Sequence, residues 1–273
     1  MAGRKPHPIQ QLACCALSQT LAKFRRTGLS HCQEERVSVT QLVPPVAAIA
    51  DVLALIGRNG WLTPPLQPII GCSVPTSAIA RTFRLEMGNE GPGLTPLFEA
   101  LSSDLTGCCL LLDAQRVNGA VWGEILATAA NNCGATVVLV CGSVRDKAQV
   151  NQIGMPLYAM REIVVGPAGR AHVQEVGGSI TLAASIPGTI SDQVIDTTVE
   201  NGDTVVCDES GCVSIPVAIS EHILDASRRY AQAELETVRS LLQHEPLTLA
   251  YLHKKKFVQS IVAELSGYSQ RHH

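Results

Sequence analysis

Glu124 and the pair Arg145-Asp146 are separated by twenty residues, and each stands where an apolar run gives way to polar chain. Trp122-Gly123-Glu124-Ile125-Leu126 opens an expected helix. The unpaired N–H groups and positive dipole end of such a helix form an anion site, and Gly123 lets a ligand approach the backbone closely. Gly142-Ser143-Val144-Arg145-Asp146 directly follows an expected strand. Arg145 offers a planar fork suited to the carboxylate of a 2-oxo acid. Asp146 and Glu124 supply hard oxygen ligands for Mg2+ or Mn2+. A divalent ion chelated by a 2-oxo acid draws electrons from the neighbouring carbon–carbon bond and stabilises the enolate left when that bond breaks. The amides of Ile125 and Leu126 add hydrogen bonds to the same charge. On residue types alone, the bland alternative stays open. Gly-Glu also serves as an ordinary first-turn acid, and Arg-Asp as a surface ion pair worth little.

The elements that must position these groups lie in the middle of the chain. Cys108 to Asp113 is a continuous apolar run, as a strand buried on both faces should be. A helix from Glu124 to Cys133 ends at Gly134, and Thr136 to Cys141 is a second buried run. Strand, helix and strand at this spacing predict a parallel βαβ unit, whose ligand sites gather at the carboxyl ends of the strands. Upstream, the pattern gives a helix over 46–56, a loop over 61–77, a strand from Ala78 to Leu85, a loop over 88–95 and a short helix from Leu97 to Leu101. Downstream it gives short strands at Ile163–Val165, Ser179–Ala183, Thr204–Cys207 and Cys212–Ile215. A long helix follows from Ser220 to Gln243, with Ile223, Ala226, Tyr230, Ala233, Leu241 and Leu242 as its apolar face. After Pro246 a final short helix carries Lys254-Lys255-Lys256, read as a solvated face. His172 reads as a structural or solvated histidine.

The domain division is an N-terminal extension over 1–45, a core domain over 46–250 and a helical tail over 251–273. The extension is basic, with no acid before Glu34, and Ile9 to Phe24 looks amphipathic. That composition leaves organellar targeting open beside the expected cytoplasmic location. The 273 residues are 46% hydrophobic but only 16% charged and 4% aromatic, so small aliphatic side chains must fill stacked α/β layers. A net charge of −3 gives no reason to expect nucleic acid, and no apolar stretch is long enough to span a membrane. Low charge with high apolar content favours a homo-oligomer. The ten cysteines contain no Cys-x-x-Cys pair and read as free, buried thiols.

Trp122-Gly123-Glu124 followed by Arg145-Asp146 resembles the core of the RraA-like proteins over residues 46–250. That family includes class II aldolases acting on 4-hydroxy-4-methyl-2-oxoglutarate, oxaloacetate decarboxylases and a regulator of ribonuclease E. Gly154 to Ala159 is similar to its G-x-P-V-F-A segment, and Asn201-Gly202-Asp203 to Pro216 to its P-G-D…D-x-x-G-V-x-x-P stretch. The resemblance implies an α/β layered sandwich of the swivelling β/β/α type with a C-terminal helix. It implies trimeric rings that pair into hexamers, with the active site between subunits. It further implies that Arg145 holds a pyruvate moiety, that Asp146 holds the metal, and that Glu124 positions water beside it. The backbone at Gly123, Ile125 and Leu126 would bind the substrate. Glu234 is the best match for a glutamate that reaches a neighbour's site, with Glu236 close to it. The implied reaction is retro-aldol cleavage of 4-hydroxy-2-oxo acids or decarboxylation of oxaloacetate through a pyruvate enolate. The alternative is a non-catalytic regulator that binds a ribonuclease or helicase. Methyl transfer from S-adenosylmethionine is disfavoured, because no glycine-rich loop follows the first strand. Ala80 stands where the family has a glycine, and Asn201 where it has a proline.

Overall fold

A computed structural model of the chain describes residues 42–88, 91–185 and 194–269. The N-terminal targeting reading and His272-His273 lie outside those residues, as do Cys14, Cys15 and Cys32. The elements in order are α1 (Val46–Leu55), β1 (Gln67–Ile70), β2 (Thr76–Met87), α2 (Thr95–Ala100), β3 (Cys108–Asp113), β4 (Ala120–Trp122), α3 (Glu124–Asn132) and β5 (Val137–Val144). Then come α4 (Lys147–Ile153), β6 (Leu157–Glu162), β7 (Ala171–Val176), β8 (Ile180–Ser185), β9 (Val194–Val199), β10 (Thr204–Asp208), β11 (Gly211–Ile215), α5 (Ser220–Leu242) and α6 (Leu247–Ser269).

One sheet carries the fold, in the order β1-β6-β5-β3-β2-β10-β11, with β4 added to β5 and β7 to β2. Its centre, β2-β3-β5-β6, is parallel, as the buried apolar runs require. Side chains alternate strictly across it. Leu110, Leu112, Val138 and Val140 face one way and pack with Ala127 and Ala130 of α3 and Leu97 of α2. Cys109, Leu111, Val137, Leu139 and Cys141 face the other way, against Ile180 and Leu182 of β8, Val199 of β9, and Cys207 and Cys212. A helical layer, the main sheet and a second β layer therefore stack on two cores, in the α/β/β order expected. A third core gathers Ile49 and Val52 of α1, Val206, Val213, and Ile223, Ala226 and Tyr230 of α5, with Ile261 of α6. Burial pushes the thiols of Cys109, Cys141, Cys207 and Cys212 up, so they behave as small apolar side chains. No described helix is long and apolar enough to cross a membrane.

Several sequence expectations fail for identifiable reasons. Ile163–Val165 is not a strand. β6 ends at Glu162, and Val164 and Val165 are exposed, so β-branched composition there reflects no buried face. The 61–77 segment is not all loop, because β1 adds to the sheet edge beside β6 despite its proline. Gly142, Ser143 and Val144 belong to β5 rather than to the loop after it. The final helix is long, not short, and begins at Leu247, before the tail boundary. Leu241 and Leu242 are exposed rather than part of the α5 core face. Lys254 is not solvated: its Nζ lies 2.6 Å from Glu234 Oε1 and 4.7 Å from the centroid of the Tyr230 ring. His172 lies on β7, with its Nδ1 buried and unpartnered among the described residues.

Candidate functional site

The parallel register brings the two motifs together. β4 pairs with the end of β5, Trp122 opposite Val144, and the Arg145 amide donates to the Trp122 carbonyl at 2.9 Å. Gly123, the next residue, caps α3 with an extended backbone that any residue could adopt. What requires glycine there is space. A Cβ would fall 2.5 Å from Asp146 Oδ2 and 3.1 Å from Arg145 Cγ. The Glu124 amide points at the same carboxylate, donating to Asp146 Oδ2 at 3.3 Å. The first-turn amides of Ile125 and Leu126 have no acceptor within their own helix. Ile125 is largely exposed, while Leu126 packs partly against the core and fixes the helix entry.

Asp146 carries a left-handed backbone, φ 60° and ψ 34°, at the start of α4. An N-cap aspartate normally turns its carboxylate onto its own helix, but Asp146 makes no such cap. Its carboxylate is delivered instead to the mouth of α3. Backbone conformations of this kind cost free energy and concentrate where a side chain must be aimed. Arg145 Nε lies 3.5 Å from Asp146 Oδ2, and this is the guanidinium's single ion-pair contact among the described residues. With side chains 44% and 38% exposed, the pair is loosely held and leaves the guanidinium fork and most carboxylate lone pairs available.

A cavity of about 210 Å3 opens beside the pair, lined by Arg145, Asp146, Glu162, Ile163 and Val164. The last three close it because the Ile163 amide donates to the Val144 carbonyl at 3.0 Å, drawing the chain after β6 along the end of β5. Glu162 also faces Lys147, with Nζ 3.5 Å from Oε1. Gly166 lies under the guanidinium, where a Cβ would stand 3.4 Å from Arg145 Nη1.

Gly123, the Glu124 amide, Arg145 and Asp146 thus converge. The Glu124 carboxylate is not part of the cavity lining, and Glu234 binds Lys254 within its own chain's helical hairpin. Glu162 was missed because no local motif marks it. The available signal was topological: the first strand after a helix that follows Arg145-Asp146 must lie beside β5, so its last residue borders that pair.

The RraA-like family, described as Aldolase/RraA, matches residues 46–214. The chain belongs to it. Solved structures agree with the architecture. A protein of Pseudomonas syringae pv. tomato is 23% identical with a TM-score of 0.60, covering 76% of this chain and 92% of its own. Streptomyces coelicolor RraAS2, described as an unusual member of the RNase ES inhibitor RraA family, is 18% identical with a TM-score of 0.55, covering 76% and 97%. At these identities the likeness establishes the fold alone.

The donors present at the Arg145–Asp146 cluster are of a type that a divalent cation of the magnesium class takes. Among the described residues no three acidic, histidine or cysteine side chains are grouped to cage a metal. Magnesium does not need that cage, since it favours one or two carboxylates with the remaining positions left to water and substrate. The half-exposed Asp146 carboxylate, aimed away from its own helix, is a donor of that type.

Proposed function

We propose that this protein is a divalent-metal-dependent lyase that cleaves the C3–C4 bond of a 2-oxo acid, one carbon removed from its oxo group. The observation that carries the reading is the convergence of Arg145, Asp146 and the α3 amides across the Gly123 gap, where a methyl group would collide with the carboxylate. Arg145 binds the substrate carboxylate through its open fork. Asp146 would hold Mg2+ or Mn2+, with Glu124 ordering water at the rim. The cation supplies electrophilic stabilisation of the oxo oxygen. In a 4-hydroxy-2-oxo acid, the C4 hydroxyl would give its proton to the water ordered by Glu124 as the C3–C4 bond breaks, C4 would leave as a carbonyl product, and the bond's electron pair would pass to the pyruvate portion as an enolate. The Ile125 and Leu126 amides hydrogen-bond to that developing negative charge. The same water would return a proton to C3, releasing pyruvate. Oxaloacetate follows the same route with CO2 as the leaving fragment. The active assembly in this reading is a homotrimer or hexamer, with Glu234 as the residue offered to a neighbouring subunit once it leaves Lys254.

Pyruvate release from 4-hydroxy-2-oxo acids and from oxaloacetate, followed with Mg2+, with Mn2+ and with a chelator, tests the reading. Turnover that vanishes with the chelator is expected. Absence of turnover in every condition would overturn it, leaving the ring as a binding partner of a ribonuclease or helicase.

A further inference from the structure

The β10–β11 hairpin holds two thiols in register. Cys207 and Cys212 are cross-strand partners, one step back from the Asp208–Gly211 pair that flanks the turn at Glu209 and Ser210. The backbone of Cys212 is turned away from β10: its amide donates to Thr63 Oγ1 at 3.2 Å, and its carbonyl accepts from the Leu62 amide at 2.8 Å. The pair therefore occupies a non-hydrogen-bonded position of the antiparallel ladder, where Cα atoms stand about 4.5 Å apart and side chains approach closely. A disulfide needs Cα atoms roughly 4.4–6.8 Å apart. Both side chains enter the same buried core, and each thiol is in polar contact with the other. Among the described residues no other two cysteines are strand partners.

We infer that Cys207 and Cys212 are a redox couple, able to close as a cross-strand disulfide, whose state is set while the chain folds and is then sealed by the core. In the folded protein, burial pushes both thiols up, so neither supplies the thiolate that exchange requires. Before the sheet closes, both are exposed to solvent. The oxidant is a small-molecule disulfide of the glutathione class. One cysteine loses its proton and attacks a glutathione disulfide sulfur, which releases one glutathione thiolate and leaves a mixed disulfide. The second cysteine, as thiolate, attacks the protein sulfur of that mixed disulfide and expels the other glutathione. The two cysteines have lost two protons and two electrons, and one glutathione disulfide has become two glutathione thiols. Only Asp208 to Gly211 separate the pair, so closing this short loop costs less than reaching a distant cysteine. The bond ties β11, which leads to α5, to the end of β10, where Asp208 accepts from the Val46 amide of α1 at 2.8 Å.

The test divides the reduced full chain into two portions. One is unfolded in guanidinium and refolded in a buffer of reduced and oxidised glutathione, and the other enters the same buffer without unfolding. Both are trapped with N-ethylmaleimide and cleaved after Glu209, between the two cysteines. In the refolded portion the two fragments should stay joined by a bond that dithiothreitol breaks, and the portion never unfolded should release them as alkylated thiols. The oxidised protein should melt about 5 °C above the reduced one, the scale set by a short closed loop. Cys212→Ser should melt alike from both buffers. Fragments released separately from the refolded protein, or a bond to another cysteine such as Cys72, overturn the pairing. Linkage that forms equally in the portion never unfolded overturns the sealing. Where refolding returns no native protein, the full chain held just below its melting temperature in the same buffer replaces it, and absence of the linkage there counts equally against the pair.

Discussion

Two arginines stand at the carboxyl end of the parallel sheet and are held in opposite ways. Arg84, on β2, has all three guanidinium nitrogens engaged by protein groups. Nη1 pairs with Glu175 on β7, Nη2 donates to the Ser179 carbonyl at 2.5 Å, and Nε lies 3.6 Å from Asp113 at the end of β3. Arg145 has one ion pair, at 3.5 Å, with its own chain neighbour. Both residues sit in polar surroundings beside cavities, and the cavity near Arg84 is the larger, about 500 Å3 against about 210 Å3. On the lyase reading, size alone would choose the wrong arginine. A guanidinium whose donors are already used ties strands together, whereas one whose donors are free is available to a ligand. The difference is one of unspent hydrogen-bonding capacity.

The sharpest way to break this comparison is to remove each guanidinium. Arg145→Ala should lower kcat/KM by about a thousandfold, roughly 4 kcal/mol, because a charge-assisted fork on the substrate is lost in a partly desolvated site. Its melting temperature should stay within about two degrees of wild type, since the side chain is exposed and lightly bonded. A variant that unfolds, or that turns over normally, would reverse the assignment. Gly123→Ala comes next. The added methyl must displace Asp146 Oδ2 or the Arg145 stem, so turnover should fall about thirtyfold, roughly 2 kcal/mol. The extended backbone accepts alanine, so little stability should be lost. Titrating Mg2+ in that variant checks the cause, because a displaced Asp146 raises the metal concentration needed for half activity.

Arg84→Met should give the complementary result. Glu175 and the Ser179 carbonyl would lose their donor and Asp113 its neighbouring cation, at a cost of about 1–2 kcal/mol after allowance for their partial exposure. Chemical denaturation would register that loss, while kcat/KM should change by less than about threefold. Equal damage to turnover and stability in both arginine variants would erase the distinction between a tie and a ligand group.

The same contrast explains what could be read from the sequence. β3 and β5 are visible because burial on both faces demands unbroken apolar runs, and Gly123, Glu124, Arg145 and Asp146 are visible because each motif is local. β7, with His172, Gln174 and Glu175 among its six residues, carries no such pattern. Its pairing with β2 therefore had no local signal, and neither did the closure of Arg84 by Glu175. Glu162 was hidden for the related reason that its neighbour in space, Arg145, follows a different strand, β5. Leu241 and Leu242 misled in the other direction. Helical periodicity marks them as core, but they lie on the turn-proximal end of α5, exposed to solvent.

Lys254 and Glu234 form another closed pair, and they permit the mildest test of the same idea. Burial alone would lower the Lys254 value, but the Glu234 hydrogen bond and the Tyr230 hydroxyl outweigh it, and the ammonium is held above the ordinary lysine range. A group raised on folding stabilises the protein fully at pH values below its unfolded value, near 10.4 for lysine. That contribution is lost as pH rises through the folded value. Lys254→Met should therefore be less stable than wild type by about 1 kcal/mol at neutral pH, the scale of a partly shielded ion pair with a cation–π contact. The gap should hold steady until the unfolded lysine begins to lose its proton and should narrow only above it. Denaturant midpoints of both proteins between pH 7 and pH 11 measure this directly. A gap that closes near neutrality would place the stabilisation in some group other than the lysine, and the hairpin pair would then be as loosely held as Arg145 and Asp146.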